Sequence, residues 1–327
     1  MLRRNFLGGA LSAIALRRLL HAQQLTQSRP AELVVERPAG GQPHRGKVLL
    51  ALQAHSDDIP LSAAGTVAKL IEEGYTGYLV RATNDDMGDA PGLGTPGTSA
   101  ESALGNERDN AEVASVLGCK GHFDLNYANH RMADASLNEL ICRVIFLIRY
   151  LKVDTVVGWD PWAHDEENPD HYMLARAVEA ACWMAGREHD YAEQVAAGLA
   201  PKTVQDKYYF ARRPEITRVV DISKQIGKKI DANRANVTKG PAGHLGSRLR
   251  AELAKKGQRL PLLGADDVTA DRNYIQEFAM SRSRELGRQY GVEYAEIFHY
   301  IAPGASGADR DPRVEKYIRE HVLPLKP

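Results

Sequence analysis

The stretch KVLLALQAHSDDIPLSAAGTVAKLIEEGYTGYLVRAT, residues 47–83, changes hydrophobic period twice, and that change decides the fold. Residues 47–54 are a continuous apolar run, short enough for a strand buried on both faces. From there Leu61, Ala64, Val67, Ala68 and Ile71 recur at helical spacing, with Pro60 in the first turn and Gly74 able to end the helix. YTGYLVRAT then reads as a second strand. Strand, helix and strand in such quick succession predict a right-handed crossover and a parallel sheet. His55, Asp57 and Asp58 stand where the first strand gives way to the helix, the end at which open parallel sheets bind ligands.

The alternation continues outward. ERDNAEVASVLG supplies the last turns of a helix ended by Gly118, HFDL a short strand, Leu137 to Leu151 an amphipathic helix, and VDTVVGW a strand. Pro169 to Ala185 follow as a helix capped by Asn168 and closed by Gly186. Residues 187–203 read as a loop, KYYFA and TRVVDI as strands, and Ser223 to Asn236 as a helix. Residues 237–268, with KGPAGHLG and RLPLLGADD, read as an insertion or lid over the sheet edge. The expected class is α/β, a Rossmann-like three-layer sandwich with a mostly parallel sheet, plus a C-terminal extension over residues 241–327 that packs on the same domain. No G-x-G-x-x-G follows the first strand and no G-x-x-x-x-G-K-[ST] occurs, which argues against dehydrogenase and kinase chemistry.

The 327 residues are 43% hydrophobic and 26% charged, with Lys+Arg and Asp+Glu both at 42, so formal net charge is zero. No long-range field draws the chain to nucleic acid or an anionic surface, and a small neutral partner is the expectation. No apolar run approaches the ~20 residues of a membrane span. Residues 1–24 open with MLRRNFLGGALSAIAL, the layout of a twin-arginine export signal, or else an amphipathic terminal helix. The first reading makes the protein exported, periplasmic or extracellular. Cys119, Cys142 and Cys182 are widely spaced and odd in number, giving neither a disulfide framework nor a zinc-ribbon spacing, and are expected as buried thiols.

A second polar cluster, WDPWAHDEENPDHYMLARAVEAA at residues 159–181, leaves the strand VDTVVGW and enters a helix near whose start lies His171. If the two strands are neighbours, His55, Asp58 and His171 come within reach of one ion. Two imidazoles and a carboxylate suit zinc with one position open to water, whose pKa the ion lowers to about 7. Adjacent Asp57 and Asp58 are ill placed to ligate one ion together; one can coordinate while the other accepts a proton.

AHSDDIPLSAAGTVAKLIEEG resembles the A-H-P-D-D-E motif of the PIG-L/LmbE-like zinc-dependent deacetylases, and NPDHYMLARAVEAA is similar to their H-P-D-H motif. ATNDDMG, ERDNAEVASVLGCKGHFDLNYANHRM and RVVDISKQIGKKIDANRAN extend the resemblance, in the family's order, over about residues 45–240. It implies His55, Asp58 and His171 as metal ligands, Asp57 as general base, and Asp170 as the residue that orients a neighbour. Ser56 replaces the family's proline, Ile59 its glutamate, and Asn168 its first histidine of the second motif. An asparagine can donate a hydrogen bond to an oxyanion but delivers no proton, so His164, in the same loop, is the nearest substitute. Asn84, Asp86, Asn129 and Arg131 follow other strand ends, where they can meet sugar hydroxyls. The resemblance implies a zinc-dependent hydrolase, with Fe²⁺ or Co²⁺ as other metals, that removes an acetyl or other acyl group from an N-acetylated amino sugar or its glycoconjugate. The alternatives are an amidase for another amide, such as a thiol-sugar conjugate, and a sugar-binding protein that kept its metal and lost turnover.

Overall fold

The apolar run at residue 48 forms strand β2 (Val48–Gln53), whose side chains divide between two cores. Leu49 and Ala51 pack on one face of the sheet, Leu50 and Leu52 on the other, and all four are fully buried. Burying a leucine contributes roughly 1.5–3 kcal/mol, so this one strand anchors both outer layers. The computed structural model describes residues 33–87, 98–210, 214–239, 243–303 and 312–324. Residues 1–24, the expected export signal, lie outside them.

Strands β3 (Thr76–Thr83) and β4 (Gly121–Tyr127) extend the sheet parallel to β2 on one side. On the other side β5 (Thr155–Trp159) pairs directly with β2, Leu50 opposite Val156, and β6 (Asp206–Phe210) pairs with β5. The chain thus reverses its direction of growth between β2 and β5, the switch point at which a crevice opens beyond the strand ends. Beyond β6 come β8 (Ala295–Ile301), antiparallel, then β7 (Arg218–Asp221) and β1 (Val34–Glu36), giving the order β1-β7-β8-β6-β5-β2-β3-β4. The expected three-layer α/β sandwich with a mostly parallel sheet is the fold.

Helices α1 (Asp58–Ser62) and α2 (Ala64–Glu72) follow β2 as two pieces, broken where Ala63 leaves helical geometry at φ −141°. Helices α3 (Ser99–Leu117), α4 (Leu137–Leu151) and α5 (Pro169–Met184) then follow in order. Gly118 ends α3 in the left-handed conformation, φ 82°, as its position after the last apolar residue implied. Residues 187–203 are not all loop: α6 (Ala192–Ala196) adds one turn. Helix α7 (Ile226–Ala235) lies against α2 and α3 on a face of the sheet.

The described part of residues 237–268, expected as an insertion or lid over the sheet edge, is largely helical. It carries α8 (Leu245–Lys255) and the start of α9 (Asp267–Tyr274), which pack together while α9 also touches α7, so the segment builds on a covered face. The packing depends on Gly246, where a Cβ would fall 2.1 Å from the Ala270 carbonyl oxygen. The sheet also takes β8 from residues 241–327, a strand the sequence pattern did not single out. Of the three cysteines only Cys182 is buried; Cys119 and Cys142 are half-buried, and all are free thiols. No helix among the described residues is long and apolar enough to cross a membrane.

Candidate metal centre and cleft

Asp58 shapes the turn that follows β2. Its Oδ2 accepts the backbone N–H groups of Ala54 at 2.8 Å and His55 at 3.0 Å, and the Trp159 indole N–H from β5 at 2.9 Å. This use of one oxygen leaves Oδ1 facing the histidines, 3.3 Å from His171 Nε2 and 3.8 Å from His55 Nδ1. The two imidazole nitrogens themselves lie 2.9 Å apart.

The far nitrogen of each ring is bonded to a carboxylate. His55 Nε2 donates to Asp170 at 3.2 Å, and His171 Nδ1 to Glu166 at 2.9 Å. A carboxylate can only accept, so each outer nitrogen carries a proton and both inner nitrogens face the same point as Asp58 Oδ1. Such carboxylate–histidine pairs are how proteins orient metal-ligating imidazoles. His55, Asp58 and His171 therefore form a donor set whose atoms lie within 4.8 Å of one another and fit one metal ion.

The ligand loops are braced from both sides. Asp170 is fully buried and also accepts the backbone N–H groups of His130 and Met132, tying the turn after β4 to the start of α5. The Trp159 indole stacks on His171, ring centroids 3.9 Å apart. Ser56 donates its backbone N–H to Asp85 at 2.8 Å, a bond that a proline there would not make, and its hydroxyl meets Asn106. Ile59 is fully buried in the apolar core.

Charge follows this geometry. Burial by itself would lower the His55 pKa, but its bonds to Asp170 and Asp58 raise it to about 10, and Asp58 likewise raises His171 against burial. Despite burial, Asp58 is held well below the ordinary carboxylate range by His171 and His55. Burial pushes the Asp57 carboxyl up, and Asp58 and Asp85 add to this against the pull of Lys239. In the metal-free protein His55 is thus protonated at neutral pH. Its raised pKa stabilises that form fully below about 6.5, and the contribution is lost as pH rises toward about 10. An incoming ion must displace this proton, so zinc binding at pH 7 is expected to release about one proton per ion and to weaken as pH falls. Calorimetric titration in buffers of different ionisation enthalpy measures the release; none at pH 7 would contradict the shared donor set.

A cleft of about 430 Å³ opens over the donors, lined by Asp57, Leu61, Ser62, Met87, His130, Asn168 and Lys239 together with the three ligand residues and Trp159. Asp57 is half-buried there, and Lys239 spans to Asp85 at 2.7 Å. Asn168 is the cap of α5, its Oδ1 accepting the Asp170 N–H at 3.0 Å. His164 is exposed and is not among the residues lining the cleft. Neither are Asn84, Asp86, Asn129 and Arg131. Asn84 Oδ1 accepts from the Asp86 N–H, Asp86 Oδ1 from the Asn129 N–H, and Arg131 pairs with Asp134 at 3.7 Å. In this structure the first three brace the loops to one another.

Sequence reasoning passed over Glu166, Trp159, His130 and Lys239. His130 had a signal, a histidine at a strand end between two residues that were chosen. Glu166 had none, since acidic loop residues are ordinary.

Residues 50–182 match the GlcNAc-PI de-N-acetylase family, PIG-L. The likeness to the PIG-L family is carried by this stretch. Among proteins similar to this chain, diacetylchitobiose deacetylase of Thermococcus kodakarensis is 26% identical over 196 residues, covering 60% of this chain and 71% of that protein. The 1D-myo-inositol 2-acetamido-2-deoxy-alpha-D-glucopyranoside deacetylase of Mycolicibacterium smegmatis is 24% identical over 262 residues, covering 68% and 89%. N,N'-diacetylchitobiose deacetylase from Pyrococcus horikoshii shares the fold, with a TM-score of 0.61 at 20% identity over 83% of this chain and 88% of that one. GalB from Pseudomonas putida, a 4-carboxy-2-hydroxymuconate hydratase, shares it at 0.58 and 19% identity, covering 79% and 97%. Two different chemistries on one scaffold mean that the site, and not the fold, must carry the argument for function.

Proposed function

We propose that this protein is a metal-dependent de-N-acetylase that hydrolyses the acetamido group of an N-acetylated amino sugar or its glycoconjugate. The observation that carries the reading is the convergence of His55, Asp58 and His171 on one point beside the carboxyl of Asp57. Both relatives described above are deacetylases by name, one of diacetylchitobiose and one of a 2-acetamido sugar on inositol. Zinc suits the donor set best, while iron(II) and cobalt(II) accept the same ligands. A divalent ion held there acidifies a bound water and polarises a carbonyl.

The chain's own residues divide the remaining work. Asp57, which has no metal-facing hydrogen bond of the kind Asp58 makes, accepts a proton from water in the cleft, and its raised pKa suits a base that must later return that proton. Lys239 offsets the negative charge of Asp57, Asp58 and Asp85. Asp170 and Glu166 keep the imidazoles oriented.

Breaking an amide requires a proton for the departing nitrogen, and Asn168 has none to give. His130 lines the cleft with its ring centroid 6.2 Å from that of His55, whereas His164 does not line it, so the role passes to His130. His130→Gln is expected to retain metal and lose turnover by ~100-fold, the lower range for general acid catalysis. A larger loss in His164→Gln than in His130→Gln would give the role back to the earlier histidine.

Acetate release from diacetylchitobiose and from N-acetylglucosaminyl-inositol, with zinc supplied or chelated, tests the activity itself. Stoichiometric metal without acetate release, together with sugar binding, would favour a protein that retained its ion and lost turnover. The capping bond that occupies Asn168 Oδ1 is the observation on that side. Release of another acyl group from a thiol-sugar conjugate would move the substrate class and leave the site assignment standing.

A further inference from the structure

The far end of α5 borders a second cavity, of about 540 Å³, set between that helix and strands β6 and β8. His171 and Glu179, the first cavity residue on that helix, are eight residues apart, so the cavity begins about 12 Å along the axis from the metal centre. Strand alternation on β6 explains its chemistry. Tyr208 and Phe210 join one core, while Lys207 and Tyr209 turn to the opposite face, toward α5.

Lys207 is only 8% exposed, and among the described residues its side chain, which lines the cavity, makes no hydrogen bond or ion pair. A buried ammonium without a counter-charge is costly, and proteins keep such groups paired. The acid in the same cavity, Glu179, accepts the neutral Trp162 indole N–H at 3.2 Å, keeps its charge, and makes no ion pair with Lys207. Tyr209, 1% exposed, has a buried hydroxyl whose polar neighbour is the Cys182 thiol, a weak partner. At the rim Trp183 is 56% exposed, with the Arg187 guanidinium 4.3 Å over its ring. A cation on the floor and a flat aromatic at the mouth leave room for an anion beside Lys207.

We propose that this cavity is a second ligand site that takes a small organic anion, a carboxylate carried on a flat ring, with the carboxylate on Lys207 and the ring against Trp183. Its volume lies within the ordinary range for small-molecule pockets. No covalent step is involved, and the site stands or falls independently of the deacetylase reading.

Benzoate and its uncharged counterpart benzamide are the probes, titrated into the metal-loaded full chain while tryptophan fluorescence and the thermal midpoint are followed. Benzoate is expected to quench saturably and raise the midpoint, with benzamide at least ~10-fold weaker because it forgoes a charge-assisted bond. Lys207→Met is expected to bind benzoate at least ~10-fold more weakly, and to melt higher than the parent without ligand because the unpaired charge is gone. Lys207→Gln serves as a second charge-free variant should the methionine disturb packing. His171→Ala controls for a carboxylate bound at the metal and should leave benzoate binding intact. The proposal is overturned by the absence of saturation up to the solubility of benzoate, by equal binding of benzamide, or by binding that survives both Lys207 variants and is lost in His171→Ala.

Discussion

His171→Ala is expected to purify folded with little bound metal and no measurable hydrolysis. The side chain supplies one of three donor atoms, and His55 Nδ1 and Asp58 Oδ1 alone give an ion two ligands at 3.8 Å separation. Loss of a residue that only orients a ligand costs about 10–100-fold in metal affinity, so loss of a ligand should exceed that. Glu166→Gln provides the internal scale: it weakens the hold on His171 Nδ1 without touching a donor atom, and should fall within that range. Metal analysis of both variants after dialysis decides the matter. Near-stoichiometric metal in His171→Ala would mean that the donor set is wrong, whatever the activity.

Asp57→Asn should show the opposite separation, with metal content unchanged and turnover down ~100-fold or more. The two adjacent carboxylates are already distinct in the fold. Asp58 spends Oδ2 on three N–H groups and points Oδ1 at the histidines, the arrangement a ligand needs. Asp57 makes no side-chain bond at the start of α1 and opens onto the cleft, so the amide of asparagine fits its place while being unable to take a proton. A variant that loses metal at position 57 while Asp58→Asn keeps it would show that the pair is reversed.

The sequence by itself determined the strand–helix units and placed His55, Asp58 and His171 at strand ends. A period change from a buried strand to an amphipathic helix is a local property, and so is the capping role of Asn168, which α5 uses as expected. Whether the two units are neighbours was not local information, and the direct pairing of β2 with β5 is what brings His55 and His171 together. Strand β8 was not legible, because it is antiparallel and sits among helices with no crossover unit to announce it. Tertiary structure alone decided the outer partners. Glu166 is bonded to His171 because the loop before α5 folds back over the ring, and Trp159 reaches Asp58 because β5 lies beside β2. The same holds for His130, which faces the cleft while its neighbours Asn129 and Arg131 do not. In a loop, which of three consecutive side chains enters a site depends on backbone dihedrals set by distant contacts: here the buried Asp170 carboxylate takes the His130 N–H, and His130 itself sits at φ 58°. Residue type and spacing fix what a site can contain; the long-range hydrogen bonds that aim each loop residue have no counterpart in the local pattern.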